Sequence, residues 1–393
     1  MDIIIHRGTH QIGGISTEIK TKGTRLFIDM GRELCLDSRA ATSPLSIDGA
    51  TNNNGDFSGI LITHYHGDHV GQIVEAREDI PIYIGALAKD ILLKSVEKTH
   101  PTDTAFINRI KGMNIFEGGK TLHFGDIKVT PYSVDHSACD SYMFLIEAEG
   151  KRVLYTGDFR MHGFRGKAMP KILSKIGKVD ALVTEGTAFS RSNNEVVTER
   201  ALQQKIKGYM ERYKYVYVCC SSVNLERICA LSKATPKGKY FICDKYQYEL
   251  LDLIEKHWQK HSPLYRRIKK TYYDERIKEK AEKRGFLMVV RDNWQFRRIM
   301  GGFPKEQSIV LYSMWDGYRT KKDSPIQELL SLANTWETFH TSGHASMEDI
   351  RLLIDTVKPS LVIPMHTDAP SAIESICGSA KVIIAKDKEK IVL

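Results

Sequence analysis

Residues 59–69 read GILITHYHGDH, an apolar run followed at once by a loop with three histidines and one aspartate. The run GILI predicts a buried strand, and we expect a helix to begin after it, near Asp68 or His69. A loop of this kind lies at the carboxyl edge of a sheet, where the sites of α/β proteins usually form. Imidazole nitrogens and carboxylate oxygens are ligands of ions such as Zn²⁺. The stretch therefore predicts a metal site rather than a surface cluster of histidines.

Within this loop the spacing predicts two pairs of ligands. His64 and His66 occupy alternate positions of an extended segment, so their side chains point the same way and can hold one ion. Asp68 and His69 follow as the chain turns into the helix and can reach a second ion. Gly67 is expected to permit the tight turn between the pairs.

Three further residues with metal-binding side chains follow predicted strands elsewhere in the chain. His136 lies in SVDHSACDS, Asp158 in VLYTGDFR and His366 in LVIPMHTD. A carboxylate can bridge two cations because each of its oxygens can bind one, which makes Asp158 the candidate bridge. Histidines such as His100 have no strand-end context and are interpreted as surface or core residues.

The order of predicted elements indicates two kinds of region, one rich in short strands and one in which helices and strands alternate. The first 60 residues hold short β-prone runs, and hairpins are predicted over 121–134 and 142–158. After residue 195, helices and strands alternate, beginning with a helix over 194–213, which predicts a parallel sheet with helices on both faces. From about residue 340 the pattern of strand, polar loop and helix returns.

The net charge of +9 is concentrated in one segment. Residues 255–300 hold 14 Lys and Arg against 6 Asp and Glu. Basic residues mixed with aromatic ones suit a nucleic acid with stackable bases. The alternative is a solvated basic helix whose aromatic residues lie in the core. The aromatic residues concerned are Trp258, Tyr265, Tyr272, Tyr273, Phe286, Trp294 and Phe296.

Composition excludes several classes of protein. The N-terminal segment MDIIIHRGTH is not a secretory signal, and no apolar run approaches the roughly 20 residues that span a bilayer. The seven cysteines form no CxxC pair, which favours reduced, buried thiols in a cytoplasmic protein. We therefore expect no membrane partner.

The motifs together resemble those of a known family. HYHGDH, DHS, TGDF and a late strand-end histidine are the signature of the metallo-β-lactamase superfamily. VTEGT, HTSGHAS and IPMHTD resemble the three additional motifs of its β-CASP branch, and the resemblance is closest to RNase J-like ribonucleases. Their order and spacing match over essentially the whole chain.

The resemblance implies an α/β fold with an αββα sandwich. Its first part would be residues 1–195 and its completion residues 341–393. An inserted α/β β-CASP domain would occupy residues 196–340. RNase J enzymes usually continue into a C-terminal domain associated with dimerisation, so dimerisation by that route is not expected of this sequence, and the oligomeric state stays open.

The resemblance also implies two divalent cations, with Zn²⁺ as the first choice and Mn²⁺ as the alternative. Asp158 would bridge them. The implied ligands of the first ion are His64, His66 and His136, and those of the second are Asp68, His69 and His366.

By the same resemblance the protein would be a ribonuclease with endonucleolytic or 5′-exonucleolytic activity. A metal-bound hydroxide would attack phosphorus and leave a 5′-phosphate and a 3′-hydroxyl. The catalytic candidates are Asp68, His344 as general acid and Glu185 as the group that orients it. His366 favours RNA, because DNA-repair nucleases of the family carry valine there.

Phosphate contacts are predicted from small polar residues in loops. Ser342 and Gly343 precede an apparent helix start, where backbone N–H groups suit a phosphate, although a simple helix cap is the alternative. Ser222 lies in a second strand-to-helix loop. Ser313 and Trp315 lie in a similar loop, and for these two residues and Ser222 a plain turn is the alternative. Tyr318 and Arg319 would line the path of the RNA.

Three other functions stay open on the sequence alone. One is a small-molecule hydrolase on the same metal fold, such as a lactonase or thioesterase. The second is a DNA nuclease of the same superfamily, and the third is a nucleic-acid scaffold that has lost catalysis.

Overall fold

The computed structural model describes residues 1–34, 42–53, 55–190, 196–321 and 324–393. The chain divides into two compact units, one of residues 1–195 with 343–393 and one of residues 196–342. The sequence predicts the same first boundary and a second boundary two residues earlier. The identity of the second unit as a β-CASP domain stays a prediction.

The first unit begins with short strands and a one-turn helix. Its elements up to residue 190 are β1 (Asp2–Arg7), β2 (Ser16–Lys20), β3 (Arg25–Ile28), β4 (Phe57–Leu61), α1 (Gly67–Val70), β5 (Ile82–Gly85), α2 (Ala86–Thr99), α3 (Thr104–Lys111), β6 (Asn114–Phe116), β7 (Leu122–Phe124), β8 (Ile127–Val134), β9 (Ser141–Ala148), β10 (Lys151–Tyr155), α4 (Met169–Ile176) and β11 (Ala181–Glu185).

The second unit follows, and the chain then returns to the first. The elements of the second unit are α5 (Glu199–Arg212), β12 (Tyr215–Cys219), α6 (Leu225–Ala234), β13 (Tyr240–Cys243), α7 (Lys245–Trp258), β14 (Thr271–Tyr272), α8 (Glu275–Arg284), β15 (Phe286–Val290), α9 (Trp294–Gly301), β16 (Ser308–Tyr312), α10 (Asp316–Thr320), α11 (Ile326–Ser331) and β17 (Thr335–Thr338). The closing elements of the first unit are α12 (Met347–Val357), β18 (Leu361–Met365), β19 (Lys381–Val382) and β20 (Lys390–Val392).

Two sheets form the centre of the first unit. Over the described residues each has seven strands, in the orders β20-β1-β2-β3-β4-β5-β6 and β19-β18-β11-β10-β9-β8-β7. Apolar side chains of both sheets, such as Ile5 and Phe144, share one buried cluster, so the sheets pack face to face. Leu173 of α4 and Leu353 of α12 pack on the other face of the second sheet. Buried Leu87 and Ile91 of α2 lie beside the first sheet, to which α2 is joined directly through β5. This confirms the predicted αββα arrangement.

Strand direction places several loops at common sheet edges. Strands β3 and β4 are parallel, so the loops after Ile28 and Leu61 lie at the same edge of the first sheet. Strands β10, β11 and β18 are parallel in the second sheet. Strand β8 runs in the same direction, because β9 is antiparallel to both β8 and β10. The residues that follow β8, β10, β11 and β18 therefore meet at one edge.

The second unit is built on one parallel sheet. Within the described part of the chain it has six strands in the order β14-β13-β15-β12-β16-β17, and the paired strands are parallel. The central strand β12 is buried along its length, as expected of a parallel strand covered on both faces. The predicted parallel α/β architecture of this region is confirmed.

Both interpretations of the basic segment hold in part. Tyr265, Phe286 and Phe296 are buried, as the core alternative requires. Tyr272 and Trp294 are exposed, at 46% and 72%. RNA binding by this segment stays a prediction.

Two predicted helices differ from the structure. The helix after the metal loop is a single turn. The Gly67 carbonyl accepts the helical bond from Gly71 N–H, but the carbonyls of Asp68 and His69 accept from backbone N–H groups outside the helix instead of extending it. The helix predicted over 194–213 begins at Glu199, where the Thr198 hydroxyl caps it by accepting from Ala201 N–H. Residues 194 and 195 lie outside the described residues.

Two further observations concern the chain as a whole. In the described ranges no helix combines the length and apolar character that crossing a bilayer requires. Six cysteines are buried and free, and Cys35 lies outside the described residues.

Candidate metal centre and acid–base pair

The structure brings the predicted ligands together in neighbouring clusters. Each residue of a cluster offers one ligand atom, and the ligand atoms of a cluster all lie within 4.8 Å of one another. The clusters found in the described chain are His64, His66 and His136; Asp68, His69, Asp158 and His366; and His136, Asp158 and His344.

Asp158 lies at the centre of these clusters. Its Oδ2 atom is 3.3 Å from His69 Nε2 and 3.8 Å from the Nε2 atoms of His64, His136 and His366. Its side chain is 1% exposed. A buried carboxylate among four imidazoles is well placed to bridge two cations.

The polar atoms at the centre fit divalent cations. His64 Nε2, His69 Nε2 and both carboxylate oxygens of Asp158 are buried, and none has a hydrogen-bond partner among the described residues. Buried polar atoms without partners are costly, and a cation coordinated by them removes that cost. Nitrogen and carboxylate donors suit Zn²⁺ and related ions. Ligation by these residues stays a prediction.

Burial keeps the first cluster neutral. It lowers the pKa of His64 and His136 well below the ordinary value, and neighbouring imidazoles lower it further. Burial also lowers the pKa of His66, to about 4. Imidazoles bind cations in their neutral form, so this cluster is ready for an ion at neutral pH.

The second cluster is dominated by its carboxylates. Burial opposes protonation of His69, but Asp158 and Asp29 raise its pKa well above the ordinary value. Asp158 and Asp68 likewise raise the pKa of His366 against burial. Burial would raise the pKa of Asp158, but the imidazoles, His366 first, lower it well below the ordinary value. Negative charge therefore persists at the centre.

Asp29, which the sequence reasoning missed, orients His69. It is fully buried, and its Oδ2 accepts from His69 Nδ1 at 2.8 Å. The same carboxylate accepts from the Thr63 backbone N–H at 2.8 Å. A carboxylate behind a metal-binding histidine fixes its tautomer and increases its basicity. The signal was the acid in LFIDMG, which follows a strand as the other site residues do.

Two other candidate ligands are oriented by contacts of their Nδ1 atoms with neighbouring oxygen atoms. His136 Nδ1 donates to the backbone oxygen of Gly343 at 2.6 Å. His366 Nδ1 lies 2.8 Å from Thr187 Oγ1, and its backbone adopts the left-handed region, with φ 52°. The His366 N–H holds this strained conformation by donating to Gly8 O at 2.7 Å.

Two of the ligand loops are tied together by a buried ion pair. Arg160 Nε donates to Asp135 Oδ1 at 2.8 Å, and both side chains are fully buried. Arg160 N–H also donates to Asp135 O at 2.7 Å. Because Asp135 precedes His136 and Arg160 follows Asp158 by two positions, the pair fixes the loops of both residues together.

His344 and Glu185 form a pair beside the centre. His344 Nδ1 and Glu185 Oε2 lie 3.0 Å apart, and Glu185 is fully buried at the end of β11. His344 is 20% exposed and lies 3.5 Å from Asp158 Oδ2. The imidazole therefore has a buried carboxylate behind it and access to solvent.

One glycine was misassigned by the sequence reasoning. Gly67 is the first residue of α1, has no positive φ, and a Cβ there would meet nothing within 4 Å. The loop does not need glycine at that position. Gly31 is the constrained one, because a Cβ there would lie 1.6 Å from the Asp68 backbone oxygen.

The residues predicted to contact phosphate lie in local structures that differ from those expected. Helix α12 begins at Met347 and is capped by a Ser346–Asp349 capping box, so Ser342 and Gly343 do not stand at its start. The expectation of a helix N-terminus there is wrong. Ser222 lies in the second unit, is 4% exposed, and its Oγ contacts Gln247 and Arg291. Phosphate binding by any of these residues stays a prediction.

Two models of protein families match this chain. Residues 24–211 match the Beta-lactamase superfamily domain. Residues 333–374 match the Zn-dependent metallo-hydrolase RNA specificity domain. Together these ranges cover more than half of the chain. The four-layer fold and these matches define a protein of the metallo-β-lactamase fold.

Curated relatives indicate the family to which the chain belongs within this superfamily. Ribonuclease J of Mycoplasma genitalium is 23% identical over 406 residues, which covers 91% of this chain and 66% of that protein. Endoribonuclease ysh-1 of Neurospora crassa is 23% identical over 274 residues, or 65% of this chain and 29% of that protein. The chain belongs to the metallo-β-lactamase superfamily, in its β-CASP, RNase J-like family.

Two other similarities complete the comparison. Exodeoxyribonuclease YycJ of Bacillus anthracis is 30% identical over 142 residues, which covers 36% of this chain and 48% of that protein. A crystal structure of a protein of unknown function from Enterococcus faecalis V583 superimposes with a TM-score of 0.80. The superposition covers 100% of this chain and 99% of the Enterococcus faecalis chain, and the two sequences are 20% identical. The similarity shows a shared fold.

Proposed function

We propose that the protein is a metal-dependent nuclease that hydrolyses phosphodiester bonds of RNA. The observation that carries the proposal is the His344–Glu185 pair beside Asp158 and its imidazoles. Phosphodiester hydrolysis needs neutralisation of phosphoryl charge and a proton for the leaving oxygen, and these two groups of residues suit the two tasks. The ribonuclease names of the relatives support RNA as the substrate.

The candidate ligands would hold two divalent cations, which supply Lewis-acid chemistry by lowering the pKa of a water molecule and neutralising phosphoryl charge. We propose Zn²⁺, with Mn²⁺ as the alternative, because most of the donors are imidazoles. Asp158 would lie between the ions. The remaining proposed ligands are His64, His66 and His136 for one ion and Asp68, His69 and His366 for the other.

His344 is the proposed proton donor. With Nδ1 held by Glu185, its Nε2 is the atom that would protonate the departing 3′ oxygen. The buried carboxylate holds the imidazole in position for the transfer. Breaking the bond to the 3′ oxygen yields a 5′-phosphate and a 3′-hydroxyl, by endonucleolytic or 5′-exonucleolytic cleavage.

Cleavage of end-labelled oligomers tests the proposal. RNA and DNA of one sequence, with different 5′ ends, are incubated with the Zn²⁺- or Mn²⁺-loaded protein. We expect RNA to be cut, and we expect His64→Ala and Asp158→Ala to abolish cutting while exposed His100→Ala keeps it. Intact RNA with the loaded wild-type protein, or full cleavage by His64→Ala, would contradict the proposal.

DNA hydrolysis is the second candidate function. It is favoured by the 30% identity to exodeoxyribonuclease YycJ, and the same assay decides between the two because it contains both polymers. Preferential loss of the DNA oligomer would establish this candidate instead.

The proposed partner and location follow from charge and cysteines. Residues 196–342 hold 28 Lys and Arg against 17 Asp and Glu, a net charge of +11. A small-molecule hydrolase has no use for such a charge, whereas phosphate contacts make RNA affinity fall steeply with salt. Substrate binding that is independent of salt would favour the small-molecule alternative. The buried, free cysteines of the described residues support the cytoplasm as the location.

A further inference from the structure

The second unit carries a group of exposed aromatic rings. We name Trp315, Tyr318, Trp336 and the guanidinium of Arg319 the aromatic patch. The three aromatic side chains are 41%, 49% and 36% exposed. The rings of Trp315 and Tyr318 lie 5.4 Å apart, and Arg319 Cζ lies 4.8 Å from the centre of the Trp336 ring. The patch therefore consists of two contacting pairs, which are joined along the chain by the peptide bond between Tyr318 and Arg319.

The rings of the patch are held in place by the residues around them. A Cβ on Gly317 would lie 2.2 Å from the Trp315 indole, so the ring rests on the glycine backbone. Tyr312 donates its hydroxyl to Trp315 O at 2.8 Å. Asp316 accepts from Arg319 at 2.9 and 2.8 Å and so fixes the guanidinium over Trp336. Ordered rings lose little entropy when a ligand stacks on them.

The charge of this unit indicates a polyanionic ligand. The second unit has a net charge of +11, whereas the remaining 246 residues carry −2. A single nucleic-acid strand offers both a negative backbone and unpaired bases, and bases stack on aromatic rings and on guanidinium planes. Trp336 also lies within residues 333–374, the range that matches the RNA specificity domain.

We propose that the aromatic patch binds unpaired bases of an RNA strand by stacking, while the net positive charge of the same unit attracts the backbone. This inference rests on the proposed function, since it takes RNA as the substrate. It adds a binding surface outside the metal clusters, for RNA that is single-stranded where it meets the patch.

Binding of a fluorescent RNA with chelator present tests the proposal without cleavage. The probes are a single-stranded RNA of about 12 nucleotides and an abasic ribose-phosphate oligomer of equal length. We expect Trp336→Ala or Trp315→Ala to weaken RNA binding about 5- to 100-fold, because each removes a stacking ring. Affinity for the abasic oligomer should not change, and Trp336→Phe should restore most of the RNA affinity.

Ile115→Ala is the control. Ile115 is 54% exposed and lies on β6, at the edge of the first sheet of the first unit. It should bind RNA as the wild-type protein does. An equal loss for Ile115→Ala, or a loss for Trp336→Ala that extends to the abasic oligomer, would overturn the assignment of stacking to the patch.

Three other outcomes separate this inference from the proposed function. If the wild-type protein binds and cuts RNA and the patch variants do the same, the inference fails and the proposed function stands. If the variants change the oligomeric state in light scattering but keep RNA affinity, the patch is a protein interface. If the wild-type protein neither binds nor cuts RNA, the proposed function itself fails.

Discussion

Asp29 determines which nitrogen of His69 faces the metal centre. Its backbone lies in the left-handed region, with φ 59°, although it is not glycine. The carboxylate accepts from His69 Nδ1, which directs Nε2 towards Asp158. Strain of this kind persists only where the surroundings enforce it, and here it places one carboxylate behind one candidate ligand.

We expect Asp29→Asn to reduce metal affinity by about 10- to 100-fold, because the amide cannot fix the same histidine tautomer. Bound metal is measured by mass spectrometry after dialysis against graded free Zn²⁺. Asp140→Asn is the control, since Asp140 is also buried and accepts from Ala88 N–H, but belongs to no cluster. Unchanged metal affinity for Asp29→Asn would remove its assigned role.

His344→Ala should lower the turnover of RNA by about 10²- to 10⁴-fold, since it removes a general acid. Glu185→Gln should lower turnover less, because the imidazole remains but loses the buried carboxylate that orients it. Turnover and bound metal are measured on the same preparations. A His344→Ala protein with full turnover, or one that has lost its metal, would contradict the role of proton donor.

The candidate site was predictable where several polar residues follow an apolar run. His64, Asp158 and His366 carry that signal, and the structure brings them to one place. Asp29 and Thr187 do not stand out, because one acid or threonine after a strand is common in ordinary turns. Their roles depend on which histidine lies opposite, and that is decided by tertiary packing.

At the scale of elements, the turn of α1 is positioned by close backbone contact. The segment after β3 donates Met30 N–H to His69 O at 2.8 Å and Arg32 N–H to Gly67 O at 2.9 Å. Gly31 lies between these donors, against the Asp68 carbonyl. Sequence periodicity contains no information on such an approach, which explains why the single-turn length of α1 was not predicted.

Gly31→Ala should destabilise the protein by about 1–3 kcal/mol, because its Cβ overlaps the Asp68 backbone and the turn must shift. Metal affinity should fall with it. Gly67→Ala in the same turn is the control, since its Cβ meets nothing within 4 Å. Urea unfolding and metal titration measure both effects, and equal behaviour of the two variants would refute the close-contact argument.

A charged cluster joins strands β1, β2 and β3. Glu18 is 1% exposed and accepts from Arg25 Nε at 2.7 Å, and its Oε2 lies 2.9 Å from His6 Nε2. Burial raises the pKa of Glu18, but His6 and Arg25 outweigh it and the pKa is lowered overall. A carboxylate whose pKa is lowered by folding stabilises the fold at pH values above its pKa in the unfolded chain. That stabilisation is lost as the pH falls through its pKa in the folded protein.

Glu18→Gln should therefore reduce the free energy of unfolding at pH 7 by about 2 kcal/mol and flatten its decline in acid. Urea unfolding between pH 7 and about 3 measures both effects. Glu147→Gln is the control, because the Glu147–Arg152 pair is only partly buried and should contribute little. A parallel acid decline in Glu18→Gln and wild-type protein would contradict the assignment.

For the whole molecule, the candidate ions should contribute to stability. Ligands that bind only the folded chain stabilise it. Because buried polar atoms at the centre have no hydrogen-bond partner among the described residues, loss of the ions should destabilise this site. We expect removal of metal by a chelator to lower the Tm by about 5–10 °C. His64→Ala should show a smaller shift, and an unchanged Tm in the wild-type protein would argue against bound metal.

The order in which the chain is synthesised has a consequence for the second ligand cluster. His366 Nε2 contacts Asp68 Oδ2 at 3.2 Å, although the two residues are 298 positions apart. A ribosome therefore translates the complete second unit before β18 and its histidine exist. We expect the nascent protein to capture its full complement of ions only after β18 has emerged and inserted beside β11.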